Sequence, residues 1–523
     1  MAKVYEKKGV VTVTHSGIRR RDLVKGALVL SIAPGLPAWG ATPRRGGVLR
    51  LSVDQAVANL NPLLARVRAE YLVAECLYSG LTRLASDMSA VPDLAESWSA
   101  SADLTTWTFR LRANLTFHDG SRLTAADVVA TFEALLDKST GSPALENIGP
   151  IIDISAVDDR TAKFTLSMPY VDLPIALAYP NAKIIPAAFA RGSLERLSDT
   201  AVGSGPFRLV HYQGARLVAL ERNPDYYHHE RPYLDEVEIV VYPDYNAGVS
   251  ALKTGDTDLI LSLPAAEFAY LNQLPGVEML RTRSGRFCNV IMRTDQRPFH
   301  DMRVRRALAL AVDRPAMVSF VANSFGQVGN DSPLNSVYAH YESLPLRQRN
   351  VQKAKELLRE AGYPKGLRLE LVASDTPFQR ISLAVALRAM AGPAGFVIDI
   401  RTMPHATYLA QVWKKGAFYV GFYNGQATAD SIFSLMYTAD APWNESGWEN
   451  PDFDALVRAA QSTTDQGERS RLIGRAQRII YEEIPTIIPT FLDLLAAKRN
   501  YVKGFTLNPR GAVFDLDCVW IKK

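Results

Sequence analysis

LAESWSASADLTTWTFRLRANLTFHDGSRLTAAD, residues 94–127, carries more structural information than any other stretch of this chain. Apolar side chains alternate with polar ones at Trp107, Phe109 and Leu111, a spacing that predicts a strand with one face on a core. Before this strand we predict a helix end at Trp98 and a polar turn. After it, Thr124 with Asp127 three residues later has the spacing of a helix N-cap.

Length and composition limit the class of protein. The 523 residues exceed one hydrophobic core, which predicts two or three domains, and 47% hydrophobic with 22% charged residues is typical of a globular protein. The formal net charge of +5 comes from residues 1–40, which hold seven Lys or Arg and two Asp or Glu. The rest of the chain has no net charge. Charge therefore gives no reason to expect nucleic acid or an anionic membrane surface as a partner.

Residues 1–40 resemble an export signal. Arg20 and Arg21 precede Asp22 and two apolar residues, as in a twin-arginine motif. The apolar run 26–37 is shorter than the roughly 20 residues of a membrane span. Small residues on either side of Trp39 predict cleavage before Ala41, and no cysteine follows for a lipid anchor. A basic tail without a targeting role is the alternative.

Periodicity predicts an α/β fold along the remaining chain. The predicted strands are 47–53, 151–155, 162–166, 207–212, 287–293, 367–373, 397–403 and 418–422. The predicted helices are 71–78, 351–361, 378–390, 408–415, 453–461 and 468–482. Strands that alternate with helices of this length indicate parallel βαβ units. Cys76, Cys288 and Cys518 match no metal motif, so we expect buried free thiols, with one disulfide as the alternative.

Residues 94–127 closely resemble the bacterial extracellular solute-binding proteins of family 5, which are the oligopeptide, dipeptide and nickel receptors of ABC importers. Five further segments match that family: Gly203-Ser204-Gly205-Pro206-Phe207 and residues 220–227, 252–258, 297–308 and 450–456. The resemblance covers essentially the whole mature chain. It implies an α/β, two-lobed periplasmic-binding-protein fold of type II, cluster C-like, with an extra subdomain in the first lobe.

The resemblance also implies how the chain is divided. A signal peptide takes residues 1–40. Lobe one is expected from residues 41–77, 200–286 and 487–523, and residues 78–199 form its extra subdomain. Residues 287–486 form lobe two.

Catalytic motifs are missing from the sequence. It has no nucleophile elbow, no zinc-protease helix, no P-loop and no dinucleotide fingerprint. His228-His229-Glu230 offers metal-ligand residue types, but adjacent histidines on an extended loop point apart, and a solvated turn is the alternative. His118-Asp119 has the composition of a catalytic pair, whereas the resemblance implies a structural turn. We expect no enzyme, no cofactor and no metal.

Ligand contacts are expected beyond the carboxyl end of strand 418–422, where open α/β sheets bind their ligands. In peptide receptors of the family, this loop holds an aromatic residue and an Asp that accepts the ligand's α-ammonium. Tyr423 takes the aromatic place and Gln426 the Asp place, with Asn424 and Asp430 as polar neighbours. A neutral Gln426 leaves a peptide amino terminus poorly paired in a closed cleft. A shifted alignment in a variable loop is the alternative.

Three arginines and one aromatic loop complete the predicted site. Arg293, Arg66 and Arg68 are expected to line the cleft, where they would favour a carboxylate or phosphate; solvent exposure or structural pairing is the alternative. Trp443 is expected to stack on a sugar or apolar face and Asn444 to bind hydroxyls, unless the loop only packs at the rim.

The resemblance implies a monomeric, exported receptor in the periplasm. It would capture a small polar solute, peptide-like, opine-like or a sugar conjugate, with anionic solutes among the candidates. The ligand-bound form would then dock on an inner-membrane permease pair driven by two ATPase subunits. The alternatives are an exported hydrolase on a related scaffold, or a binding protein that serves sensing or chaperoning without transport.

Overall fold

The computed structural model describes residues 42–522. The predicted signal peptide, its Arg20-Arg21 pair and the cleavage site before Ala41 therefore lie outside the described residues. Within the described range, no helix is both long and apolar enough to cross a membrane.

Residues 94–127 form a hairpin followed by a capped helix. Strand Thr106–Leu111 buries its alternate side chains, and Thr124 with Asp127 forms a capping box that opens helix Ala125–Leu136, so both predictions are confirmed. The predicted helix end at Trp98 is wrong, because Ala95–Ala100 is a strand paired antiparallel with Thr106–Leu111. This strand is at the edge of its sheet and is largely exposed, so its sequence shows no buried face.

The first lobe is built on a seven-stranded sheet within the described residues. Its central strand Val48–Val53 pairs in parallel with Glu236–Val241 and Leu259–Ile260, and the other pairings are antiparallel. In spatial order the strands are Val277–Thr282, Leu494–Arg499, Leu259–Ile260, Val48–Val53, Glu236–Val241, Leu217–Arg222 and Phe207–Gln213. Helices Arg68–Leu77, Tyr245–Thr254 and Ala265–Leu271 belong to this part of the chain.

The Gly-Ser-Gly-Pro turn before strand Phe207–Gln213 packs directly on the end of the first helix. A Cβ atom at Gly203 would lie 1.9 Å from the Leu77 carbonyl oxygen, and one at Gly205 would lie 2.5 Å from the Leu77 carbonyl carbon. Only glycine allows two backbones to approach this closely. The turn therefore fixes the helix against the sheet.

Residues 78–199 fold largely around a four-stranded antiparallel sheet. In spatial order its strands are Ala95–Ala100, Thr106–Leu111, Thr161–Leu166 and Ile151–Asp158. A two-stranded ribbon, Thr82–Leu84 with Ala90–Pro92, precedes it. Helices Ala125–Leu136, Leu173–Ala176 and Ala187–Gly192 complete this segment. Its buried residues belong to the same hydrophobic cluster as those of the seven-stranded sheet.

The second lobe is built on a six-stranded sheet within the described residues. In spatial order its strands are Gly326–Val328, Thr486–Leu492, Phe287–Met292, Phe418–Tyr423, Leu367–Ser374 and Phe396–Met403. The last three pair in parallel, which confirms the predicted βαβ units. The helices of this lobe are Met302–Ala311, Arg314–Ala322, Val351–Glu360, Gln379–Ala391, His405–Gln411, Ala429–Met436, Pro451–Gln461 and Gln466–Glu483.

One helix of the second lobe differs from its prediction. Residues 408–415 were expected to be helical, but the helix spans His405–Gln411. Pro404 sets its start, and Lys414 has a φ of 63°, a left-handed conformation that a helix does not continue through. The shift turns Trp413 into a loop residue.

Two short connections join the lobes. Residues 283–286 lead from the first sheet into strand Phe287–Met292, and Asp493 alone separates Thr486–Leu492 in the second sheet from Leu494–Arg499 in the first. The sequence-based division placed residue 487 and its successors in lobe one, whereas strand Thr486–Leu492 belongs to the second sheet. The connections run side by side, since the Leu492 N–H donates to the Arg286 carbonyl oxygen at 2.8 Å.

Candidate ligand-binding cleft

A cleft with a volume of about 770 Å³ lies between the two lobes. Tyr71, Tyr179 and residues 141–147 line it from the first lobe, and residues 422–426 line it from the second. Its volume lies within the range of small-molecule sites. The cleft is therefore a candidate site for a solute held between the lobes.

Aromatic side chains form the second-lobe wall. Trp413 donates its indole N–H to the Tyr423 hydroxyl oxygen at 3.1 Å. The Trp443 ring lies 5.8 Å from the Trp413 ring and 6.0 Å from the Tyr423 ring, measured between centroids. Such a cluster offers a rigid apolar surface on which a ring or a carbon skeleton can pack.

Six of the nine predicted ligand residues line this cleft: Arg66, Arg68, Tyr423, Asn424, Gln426 and Trp443. The Gln426 backbone N–H donates to the Tyr338 hydroxyl oxygen at 3.1 Å, which holds the loop in place. Gln426 itself is uncharged, and the charged side chains that line the cleft with it are mainly arginines.

The structure places the other three predicted residues elsewhere. Arg293 forms two hydrogen bonds with Asp295, at 2.9 and 2.6 Å, and does not line the cleft. The Asn444 side-chain amide donates to the carbonyl oxygens of Thr438 and Trp448, so it stabilises the conformation of its own loop. Arg293 was predicted from its place at the end of strand 287–293 and Asn444 from its aromatic and amide-rich segment, and local pairing explains their actual positions.

Asp430 is fully buried outside the cleft. Its carboxylate and that of Asp172 both accept hydrogen bonds from Nη2 of Arg469. Asp172 belongs to the subdomain of residues 78–199, so this ion-pair cluster joins the first lobe to the second. Burial and the neighbouring Asp172 raise the pKa of Asp430. Asp430 therefore has a structural role.

Three arginines of the cleft were missed by sequence analysis: Arg286, Arg380 and Arg510. Arg286 directly precedes strand Phe287–Met292, and its position at a strand end was a usable signal. Arg380 lies in helix Gln379–Ala391, and Arg510 lies in a loop near the C-terminus; no local motif marks either of them.

Like charges face each other at one end of the cleft. Burial and the neighbouring Arg68 guanidinium lower the pKa of Arg286 to about 9. Burial also lowers the pKa of Arg68, which Tyr245 and Asp54 only partly offset. Both groups remain protonated at neutral pH, but their charged forms are destabilised. An anion placed between them would relieve that cost.

His405 lines the cleft and has a side chain that could act as a general acid or base. Its Nδ1 atom lies 3.0 Å from the Ser374 hydroxyl, but Ser374 is fully buried and also donates to the Thr376 carbonyl oxygen. Burial and Arg380 lower the pKa of His405. Among the described residues, no carboxylate hydrogen-bonds to this histidine. The pair therefore lacks both an accessible nucleophile and an orienting acid.

The remaining sequence motifs have structural roles. His118 bridges the backbone of Gly205 and Gly203, and burial lowers its pKa to about 4. Within the described range, no group of three or more His, Cys, Asp or Glu residues is arranged to hold a metal ion. Cys76, Cys288 and Cys518 are free thiols, the first two buried and the third half-buried.

Two lobes joined by paired short connections, with a lined cleft between them, define a bilobal solute-binding protein. The chain belongs to the bacterial extracellular solute-binding proteins, family 5, whose model matches residues 89–446. It is 28% identical over 499 residues to the glutathione-binding protein GsiB of Escherichia coli (strain K12), covering 92% of this chain and 96% of that protein.

Solved structures agree with this fold. AgaA from A. tumefaciens R10, in complex with agropinic acid, is 28% identical with a TM-score of 0.78 over 91% of this chain and 99% of that chain. The ABC transporter substrate-binding protein CtaP from Listeria monocytogenes is 26% identical with a TM-score of 0.82, over 92% of this chain and all of that chain.

Proposed function

We propose that this protein is the substrate-binding component of an ABC importer, which captures a small polar solute between its lobes and delivers it to a membrane permease. The single observation that carries the proposal is the interlobe cleft, whose walls come from both lobes of a family 5 fold. Solute contacts on both walls would favour the state in which the lobes are close. Binding would thereby shift a population between open and closed forms.

The two connections are the proposed hinge. With them as the boundary, lobe one takes residues 43–77, 200–282 and 494–522, and lobe two takes residues 287–492. Residues 78–199 remain an extra subdomain of lobe one. Short paired connections of this kind absorb rotation without breaking either sheet.

The solute is proposed to be peptide-like, opine-like or a sugar conjugate. Relatives of similar identity carry names or ligands as different as glutathione and agropinic acid, so similarity alone selects no ligand. The neutral Gln426 argues against recognition of a free α-ammonium by charge. The aromatic wall of Trp413, Tyr423 and Trp443 suits a compact carbon skeleton.

Native mass spectrometry of the mature protein from its own cells, followed by thermal-shift screening of peptides, opines and sugar phosphates, tests the proposal. We expect one solute per monomer and an increase in melting temperature for that solute. Uptake of the same solute by membrane vesicles that carry the permease pair and both ATPases should depend on the protein. If uptake proceeded equally without it, a role in sensing or chaperoning would replace transport.

We propose that no bond is made or broken in the cleft. The buried, backbone-bonded Ser374 beside His405 supports this view, because a hydrolase needs a nucleophile that reaches its substrate. Incubation of the bound solute with the protein, followed by mass spectrometry, should return the solute unchanged. Turnover abolished by His405→Gln would establish the hydrolase instead.

Export by the twin-arginine route is proposed from residues 19–25 and the apolar run after them. Replacing Arg20 and Arg21 together with lysine should leave precursor in the cytoplasm, detected by immunoblotting of cell fractions. Replacing Lys7 and Lys8 with glutamine is the control. Unchanged export of the double-lysine variant would point to the general secretory route.

A further inference from the structure

The cleft contains arginine side chains that the protein itself does not satisfy. Arg380 is only 6% exposed, yet its Nε and Nη1 atoms have no hydrogen-bond partner among the described residues. The Nε atoms of Arg286 and Arg510 are likewise buried without a partner. Buried polar groups are almost always hydrogen-bonded, so unsatisfied groups on residues that line a cleft point to a missing partner.

Few acidic groups balance these arginines. Glu146 is the one carboxylate in the cleft lining, and it is exposed. Asp54 raises the pKa of Arg68, but by less than burial lowers it. Glu445 lies near Arg380, but burial raises the pKa of Glu445 to about 7, so it carries only part of a charge at neutral pH. The cleft is therefore electropositive.

Two of these arginines, Arg286 and Arg380, occupy separate places in the cleft, and the third, Arg510, lies over the Tyr179 ring at 4.9 Å. Arg286 lies on the connection between the lobes, over the Phe422 ring at 5.7 Å, and faces Arg68 of the first lobe. Arg380 lies on a helix of the second lobe, over the Tyr408 ring at 4.7 Å, next to His405. One anionic group placed between Arg68 and Arg286 leaves Arg380 unsatisfied, so a second group is needed.

We infer that the solute carries at least two anionic groups, carboxylate or phosphate, one bound between Arg68 and Arg286 and the other at Arg380. This inference rests on the proposed function and names its substrate class. Guanidinium groups bind both kinds of oxyanion through paired hydrogen bonds. Between the two anionic groups, the skeleton packs on the aromatic wall. Among the described residues that line the cleft, the exposed Glu146 is the one carboxylate, so no buried carboxylate is available for a free ammonium group, which distinguishes this solute from an ordinary dipeptide.

The first test needs no ligand. Arg286→Met and Arg380→Met each remove a buried charge that has no partner, so the melting temperature of the unliganded protein should stay level or increase. Arg388→Met, on the exposed side of the same helix as Arg380, is the matched control. A marked decrease for either cleft variant, with Arg388→Met unchanged, would show that the arginine supports the fold, and would overturn the inference.

The second test titrates matched anions at constant ionic strength. Glutarate is compared with acetate, and fructose 1,6-bisphosphate with glucose 6-phosphate, so that the members of each pair differ in the number of anionic groups; dialanine serves as the zwitterion. We expect the compound with two anionic groups to stabilise the protein at concentrations at least about tenfold below those of its partner with one, and each Met variant to lose that preference. Equal stabilisation by both members of each pair, or by dialanine, or no response to either compound with two anionic groups, would overturn the inference.

The solute retained by the protein from its own cells separates this inference from the function. If native mass spectrometry finds a solute with fewer than two anionic groups that is taken up by the transporter, the function stands and the inference of two anionic groups fails. If a dianion binds but its uptake is independent of the protein, the inference stands and the transport function fails.

Discussion

Arg469 and Arg380 are equally buried, each 6% exposed, but they have opposite environments. Arg469 bridges Asp172 and Asp430, so its charge is matched by two carboxylates that belong to different parts of the chain. Arg380 has an aromatic ring and a histidine beside it and no ion-pair partner among the described residues. Burial alone therefore does not separate an arginine with an ion-pair partner from one without, and it is the second kind that we infer to bind the solute.

The largest effect is expected from breaking the paired cluster. Arg469→Met leaves Asp172 and Asp430 buried without a cation, which should cost about 3–5 kcal/mol of unfolding free energy, measured by urea denaturation at pH 7. The loss of unfolding free energy should be smaller at pH 5, because protonation neutralises the carboxylates of Asp172 and Asp430. Arg471→Met on the same helix removes only a surface pair and should cost under about 1 kcal/mol. Equal losses for both variants would contradict the distinction.

Glu445 is a buried acidic residue without an ion-pair partner among the described residues. Its carboxylate accepts a hydrogen bond from the Tyr419 hydroxyl. Burial raises its pKa to about 7, so the native state keeps a proton that the unfolded state loses at lower pH. The contribution of Glu445 to the stability of the wild type should therefore decrease as pH rises from about 4.5 to 7. Relative to wild type, Glu445→Gln should gain roughly 3 kcal/mol over that window, followed by urea denaturation. Glu449→Gln, an exposed control, should show no such trend.

A smaller effect is expected from adding a carboxylate to the cleft. Gln426→Asp introduces a negative charge among the arginines, so dianion affinity should decrease about tenfold by calorimetry. Binding of dialanine should improve, because its ammonium group gains a partner. Gln426→Glu, with the same charge on a longer side chain, tests the placement of the carboxylate. Unchanged dianion affinity in both variants would mean that the anions bind elsewhere.

The smallest effect is expected at Arg293, which the sequence suggested as a ligand contact. Its partner Asp295 is 44% exposed, so the pair is of the surface type. Arg293→Met should change the unfolding free energy by less than about 1 kcal/mol and leave anion titrations unaltered. If anions no longer stabilised this variant, Arg293 would be a ligand contact after all.

Local patterns predicted the regular elements well. Strand Thr106–Leu111 and its neighbours carry alternation that a single window of sequence contains. The edge strand Ala95–Ala100 was mistaken for a helix end. It is defined by its pairing with Thr106–Leu111, and because it is largely exposed its sequence has no alternation of apolar and polar residues. Strand Thr486–Leu492 was assigned to the wrong lobe for a similar reason, since sheet membership depends on distant partners.

The site was predictable only in part. Tyr423 and Gln426 follow a recognisable strand, so their place at the cleft could be read from the sequence. Asp430 lies four residues later, but its partners Arg469 and Asp172 lie far away in the chain, and nothing local indicates that cluster. Arg380 and Arg510 reach the cleft only through tertiary packing. The sequence alone could therefore not predict which arginines line the site.

The position of Arg286 has a consequence for the order of events during capture. With the proposed hinge, Arg286 would move least when the lobes separate, because it lies on a connection between them, whereas Arg68 and Arg380 would travel with opposite walls. An incoming anion would meet Arg286 in every conformation and the other two only on closure. We expect capture in two kinetic phases: a concentration-dependent encounter that slows as ionic strength rises, and a first-order closure that is much less sensitive to salt.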